Sequence, residues 1–221
     1  MTPDSTRSRL PRDPAVRLFS CLRFGAKSLL AGSLLLLPLL ALLVWQGQQQ
    51  FRASMDEHAQ AVQQHVEVAH KVLAWAQGLE ASGAVSRAQA QQLAKAAVAR
   101  LRYGQDDYFW INDLDARMVM HPVKPELNGK DMAGFQDPNG LHVFQRFAEV
   151  ARKDGQGLVA YQWPKPGAAA PQDKISYVMA FQPWGWVIGT GVYVDNVWAE
   201  ARAQWLREGA VIGLVLLLAF Y

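Results

Sequence analysis

Residues 108–121 read YFWINDLDARMVMH. Two runs rich in aromatic and β-branched residues, YFWIN and RMVMH, flank residues 113–116, so the stretch predicts a β-hairpin. The pattern of the chain changes here. Upstream, apolar residues recur every three or four positions; downstream they come in short runs. Three more strands are expected at 157–163, 174–182 and 186–193, with the proline- and glycine-rich 164–171 as the turn of a second hairpin. Between the hairpins lie an irregular segment, 122–140, rich in Pro, Gly, Asn and Asp, and a short helix over 141–153 that ends at Gly155.

Upstream, residues 46–80 form one long helical stretch without proline. Phe51, Met55, Val62, Val66, Ala69, Val72, Leu73 and Ala76 make a single apolar stripe along it. A stripe of that length exceeds what one small domain covers, so its first part is expected to pack on a second copy, which predicts a homodimer. Ser82 and Gly83 break the helix, and Ser86 with Gln89 forms a capping box for the next one, 87–101. Asp195 is expected to cap a last helix through Trp198, Trp205 and Leu206. The element order predicts an α+β domain: a five-stranded antiparallel sheet with helices against one face.

This domain, 46–208, lies between two apolar segments. Residues 28–45 (SLLAGSLLLLPLLALLVW) hold 18 residues without a charge. That is about 27 Å of helix, enough for a first transmembrane span. Residues 209–221 (GAVIGLVLLLAFY) are too short to cross and read as the start of a second span, incomplete here. Residues 1–27 carry six basic and two acidic residues, net +4, whereas the remainder is net −1. A basic flank stays in the cytoplasm, which places the N-terminal tail inside and the domain outside. Membrane orientation, rather than nucleic acid, therefore accounts for the basic balance. The lone cysteine, Cys21, lies in the tail, so the outer domain has no disulfide and no thiolate chemistry.

No catalytic motif emerges. A Walker lysine loop, a G-x-S-x-G, an H-E-x-x-H and zinc-type Cys/His spacing are all absent from the sequence, and His58, His65 and His70 include no i,i+4 pair. No enzyme, metal or cofactor is expected. The positive signal is a set of amphipathic residues on the sheet. Alternation puts Tyr108, Trp110 and Asn112 on one face of the first strand and Tyr161 with Trp163 on one face of the third. Tyr177 falls on the fourth strand, His121 ends the second, and Lys165 sits at the hairpin tip. Singly these are ordinary core aromatics and an exposed lysine; clustered beside the long 122–140 loop they suggest a pocket. Its cations, Arg102, His121 and Lys165, suit a short-chain carboxylate, because a buried anion must be paired.

DDYFWINDLDARMVMHPVKPELNGKD (106–131), YQWPKPG (161–167), KISYV (174–178) and FQPWGWVIGTGVYVDNV (181–197) resemble the signature of the single Cache domain (type 2) of bacterial methyl-accepting chemotaxis proteins. The resemblance implies a PAS-like sheet, a long N-terminal dimer helix, and recognition of small organic acids such as acetate, propionate, lactate or pyruvate. By the same resemblance Arg102, Tyr108, Trp110, Met120, His121, Tyr161, Trp163, Lys165 and Tyr177 fall at or near pocket-lining positions. Asp107 and Ala116 stand where glycine is common. The implied protein is a chemoreceptor of the bacterial inner membrane with a periplasmic sensor. Its signal would reach cytoplasmic partners through sequence beyond residue 221. A histidine kinase or nucleotide cyclase carrying the same sensor, or a ligand-free spacer or docking domain, are the alternatives.

Overall fold

The computed structural model describes residues 24–104, 107–195, 202, 206 and 207. The chain divides into two units, Met1–Gln49 and Gln50–Tyr221. In the first, the described backbone is helical and begins the long helix α1 (Phe24–Ala81), which carries Pro38 inside it. Most side chains of the expected span 28–45, all of 209–221, and nearly all of the helix expected after Asp195 lie outside the described residues. Among the described residues, no helix is long and apolar enough to cross a membrane.

In the second unit α1 ends where expected. Gly83 takes a left-handed φ of 74°, a conformation open to glycine at no steric cost. Helix α2 (Arg87–Arg100) then starts from the complete capping box, Ser86 bonding the Gln89 N–H and Gln89 reaching back to Ser86. Two short strands follow, β1 (Arg102–Tyr103) and β2 (Asp107–Tyr108), paired with each other. The sequence gives no period for pieces this short.

The main sheet holds β3 (Trp110–Asp113), β4 (Met118–Met120), β5 (Gln156–Pro164), β6 (Pro171–Phe181) and β7 (Trp186–Tyr193). Its order is β4-β3-β7-β6-β5, and every neighbouring pair is antiparallel. The β3–β4 turn is held by the Asp113 carboxylate, whose Oδ1 accepts the N–H groups of Asp115 (2.9 Å) and Arg117 (2.8 Å). Ala116 is the one non-glycine residue with positive φ, 62°, among the described residues. Helix α3 (Val143–Asp154) ends on Gly155 in the left-handed region.

The sheet is covered on both faces, which corrects the expectation of helices against one face. On one face Val62, Val66, Ala69 and Leu73 of α1 and Ala90, Ala94 and Val98 of α2 pack with Phe109, Ile111 and Ile188. On the other, Val143, Phe144, Phe147, Val150 and Ala151 of α3 pack with Trp110, Val159, Val178 and Val187. The α3 residues recur at spacings of three and four, a second apolar stripe that needs its own sheet face. The strand β7 is buried on both sides at nearly every position.

Strand β5 forms one border of the sheet and contains no charged residue. The 122–140 segment leans on that border. Asp137 is buried, and its Oδ2 accepts the Gln162 N–H at 3.0 Å while its Oδ1 accepts those of Asn139 (3.0 Å) and Leu141 (2.9 Å).

Candidate functional site

The α3 face of the sheet carries the site. Tyr108, Trp110, His121, Phe144, Phe147, Tyr161 and Trp163 surround a cavity of about 10 Å³, close to the volume that admits one water. Antiparallel register adds a further group. Lys174 lies opposite Tyr161 on β5 and opposite Tyr193 on β7. Cross-strand partners share a face, so its side chain enters the same aromatic cluster. It is 1% exposed. Its Nζ sits 3.5 Å from the Tyr108 hydroxyl, 4.4 Å from the Tyr108 ring centroid and 4.6 Å from that of Tyr193. Among the described residues no carboxylate forms an ion pair with it. Burial pushes its pKa down to about 7, with Asp107 opposing the fall.

His121 is also buried, and its ring is fixed by main-chain donors. Its Nδ1 accepts the main-chain N–H groups of Lys124 (3.0 Å) and Val123 (3.3 Å), while the main-chain N–H of His121 donates to Asn128 Oδ1 at 2.7 Å. A nitrogen that accepts two N–H bonds carries no proton, so Nε2 is the donor in the neutral ring. Burial first, then the charges of Lys174 and Lys124, lower its pKa to about 3. The expectation of a cationic His121 is therefore corrected to a neutral donor.

Burial raises the Tyr108 hydroxyl to about 12 and shifts Tyr161 upward as well, so both stay protonated. Tyr161 shares a 3.0 Å hydrogen bond with Ser176. Trp110 donates its indole N–H to Asn112 Oδ1 at 3.1 Å. One lysine amine, two phenols and one imidazole N–H lie in this aromatic shell, a set of groups able to donate hydrogen bonds to an anion.

Of the expected site residues, Tyr108, Trp110, His121, Tyr161 and Trp163 are brought together. Four are not. Tyr177 points to the α1 face, between Ser176 and Val178, which face α3. Met120 likewise belongs to the α1-side core although Met118 faces α3; the β3–β4 register shifts between Ile111 and Asn112, which breaks the simple alternation. Arg102 is exposed and spends its guanidinium on the carbonyls of Leu101 (2.7 Å) and Ala99 (2.8 Å). Lys165 pairs with Asp195 at 2.7 Å. Sequence reasoning missed Lys174. Folding the second hairpin about 164–171 would have set it across from Tyr161, on the inward parity with Ser176 and Val178.

A polar path leads from the site through the sheet to α1. Thr190 donates from Oγ1 to the Tyr108 carbonyl at 2.7 Å, so the 2.7 Å contact with Tyr103 is donated by the phenol. The Tyr103 ring stacks on His65 of α1 at 4.1 Å between centroids. His65 Nδ1 is the one buried side-chain polar atom among the described residues without a hydrogen-bond partner.

Known proteins place this arrangement in context. The chain is 51% identical over 149 residues to the methyl-accepting chemotaxis protein McpP of Pseudomonas putida, and 38% identical over 122 residues to the sensor histidine kinase MctS of Rhizobium johnstonii. These stretches are 67% and 55% of this chain and 27% and 26% of those proteins, so the chain spans about a quarter of the length of the curated relatives it matches. Among solved structures, a periplasmic sensor domain of a chemotaxis protein matches at 46% identity and a TM-score of 0.62, covering 63% of this chain and 97% of that one. A Cache chemosensory domain described for its carboxylic acid recognition matches at 46% identity and 0.60, covering 66% and 97%. The model of the family named Single Cache domain 2 matches residues 54–206, so this chain belongs to the single Cache domain 2 family of sensor domains.

Proposed function

We propose that this chain is the sensor region of a transmembrane chemoreceptor, whose periplasmic domain binds a monocarboxylate of two to four carbons. Acetate, propionate, lactate and pyruvate are the candidate ligands, and the signal leaves through the helix after Asp195 and the apolar segment 209–221. The observation that carries this reading is Lys174: a buried ammonium within an aromatic cage, with phenols and a neutral imidazole around it and no paired carboxylate among the described residues. A buried charge is costly until it meets its counter-ion. A small carboxylate supplies that counter-ion, and the kinship with a domain known for carboxylic acid recognition supports the choice.

The cavity of about 10 Å³ is too small for such an acid. Binding must therefore part the rings, and the ligand would favour the more open of two arrangements by its difference in affinity. Tyr108, at the cage wall, is linked through Thr190 and Tyr103 to His65 of α1. Displacement of Tyr108 would thus be felt on the opposite face of the sheet. Val68 and Trp75, 61% and 54% exposed and seven residues apart on α1, support pairing of two copies along that helix.

Isothermal titration of the purified chain with acids of two to four carbons should give saturable heat for at least one of them. No heat with any member of the series would defeat the ligand assignment. A histidine kinase output is the second reading, favoured by the likeness to MctS.

Affinity should depend on pH through Lys174 and not through His121. The bound anion favours the ammonium, so binding is at full strength below the ligand-free pKa of about 7. Above it the amine must take up a proton on binding, and affinity falls by up to about tenfold per pH unit until the raised pKa of the complex is reached. His121, with its pKa near 3, stays neutral from pH 5 to 9 and adds no inflection. The groups facing Lys174 are Tyr108 and Tyr193, both held protonated by burial, with Asp107 nearby. Titrations in two buffers of different ionisation enthalpy should show little proton uptake at pH 6 and up to one proton at pH 8.5. Affinity constant over that range would remove Lys174 from the site.

A further inference from the structure

Next to the cage, between the 122–140 segment and the β5–β6 hairpin, lies a larger concavity of about 370 Å³. Lys124, Phe135, Asp137, Gln162 and Pro171 contribute to its lining. Trp163 is common to both, forming one wall of this groove and one wall of the inner cage. A single indole therefore separates a space wide enough for an organic acid from the shell around Lys174.

The other walls of the cage are harder to open. Tyr161 and Lys174 are directly paired across β5 and β6, and β3 is paired on both sides. Phe144 and Phe147 are seated in the core under α3. Trp163 belongs to the same buried cluster, but of the cage walls it is the one that also borders the groove. It lies one pair from the end of the β5–β6 ladder, opposite Gln172. Its ring is held by edge contacts with Phe135 (5.2 Å) and Phe144 (5.8 Å), a looser approach to His121 (6.0 Å) and a polar contact with the Tyr108 hydroxyl. Rotation about its two side-chain torsions breaks no ladder hydrogen bond. The Lys124 ammonium stands 4.9 Å from the centroid of the same ring. In contrast, the Asp137 carboxylate in the groove wall is satisfied by three N–H donors, which lessens its repulsion of an incoming anion.

We propose that the groove is the port through which the acid reaches the cage, that Trp163 is its gate, and that Lys124 is the first positive contact. The proposal rests on the carboxylate reading above and deepens it. The acid collects in the groove against Lys124, the indole turns aside, and the carboxylate passes to Lys174. When the indole returns, it meets whatever part of the ligand projects outward, so Trp163 also sets the longest chain the cage accepts.

Stopped-flow binding of propionate to the full chain tests this, read by intrinsic fluorescence with Trp110 still in the cage wall. Lys124→Gln should lower the association rate about threefold or more at low salt and flatten its dependence on ionic strength, with the dissociation rate unchanged. Trp163→Ala should raise association and dissociation rates together by about tenfold and extend binding to straight-chain acids of five and six carbons. Trp163→Phe, which keeps most of the packing, should shift both in the same direction by less. Wild-type rates and chain-length limit in Lys124→Gln and Trp163→Phe would overturn the port while leaving the carboxylate reading intact. Absence of saturable propionate, acetate, lactate and pyruvate binding by the wild type would overturn both.

Discussion

Lys174→Met is expected to weaken carboxylate binding by at least about a hundredfold and to raise the thermal midpoint of the ligand-free protein. Methionine keeps an unbranched chain of similar length and removes only the charge and its donors. Breaking one side of a buried charge pair costs about 3 kcal/mol or more, which is about two decades in affinity. The gain in stability follows from the same burial. A lysine whose pKa falls on folding, here to about 7, is held in an environment that disfavours its charge. The cost is fully present at pH values where both states would be protonated, and it fades as pH rises from about 7 towards the ordinary lysine value. Methionine removes it, so the rise in midpoint should be larger at pH 6 than at pH 9. Titration calorimetry and thermal unfolding at the two pH values check both halves. Binding within tenfold of wild type would show that the ammonium is not the counter-ion.

Gly191→Ala should destabilise the domain by about 3 kcal/mol or more, at or above the upper end of ordinary overpacking. Gly191 lies in β7 opposite Ser176 of β6. A Cβ there would collide with Ser176 Oγ and the Ile175 carbonyl and lie 2.7 Å from Ser176 Cα. Two of these obstacles are main chain, so no side-chain rotation relieves them and the strands must separate. For a domain of this size the midpoint should fall by roughly 6 to 12 °C. Gly78→Ala is the control. It lies within α1 with nothing within 4 Å of the added methyl, and helix propensity predicts a gain of up to about 1 kcal/mol. Equal midpoints for the two variants would refute the close-packing account of β7.

Local chemistry was the legible part of the sequence. The Ser86–Gln89 box, Gly83, Gly155 and the Asp113 turn each act within a few residues, and each stands where the pattern placed it. The five strands of the main sheet follow from the same short-range rules. The face of a residue was legible only where alternation held without interruption. It held for Tyr108, Trp110, Tyr161 and Trp163. Met120, beyond the register shift, and Tyr177, whose parity on β6 depends on pairing with β5 and β7, were expected at the pocket by resemblance and fall on the α1 side. The cations were misjudged for a different reason. As a rule lysine and arginine stay in water, yet Arg102 and Lys165 were expected in the pocket; Arg102 is exposed on local carbonyls, and Lys165 finds a partner in Asp195 at a distance of thirty positions. Lys174 breaks the rule, and only the long-range ladder reveals it. The neutral state of His121 follows from burial and from Lys174 and Lys124, and its tautomer from two backbone N–H groups of a loop that has no periodicity to read.

The uncharged strand β5 at the sheet border has a consequence for how this protein behaves at high concentration. A bare, chargeless border is a template on which a foreign chain can add itself, the first step towards clumping. Asp137, by capturing the Gln162 N–H, occupies part of that border and sets a negative charge beside it. The segment that borders the proposed port is therefore also a guard of solubility. Changes that loosen it in pursuit of faster uptake should precipitate the protein before they improve its response.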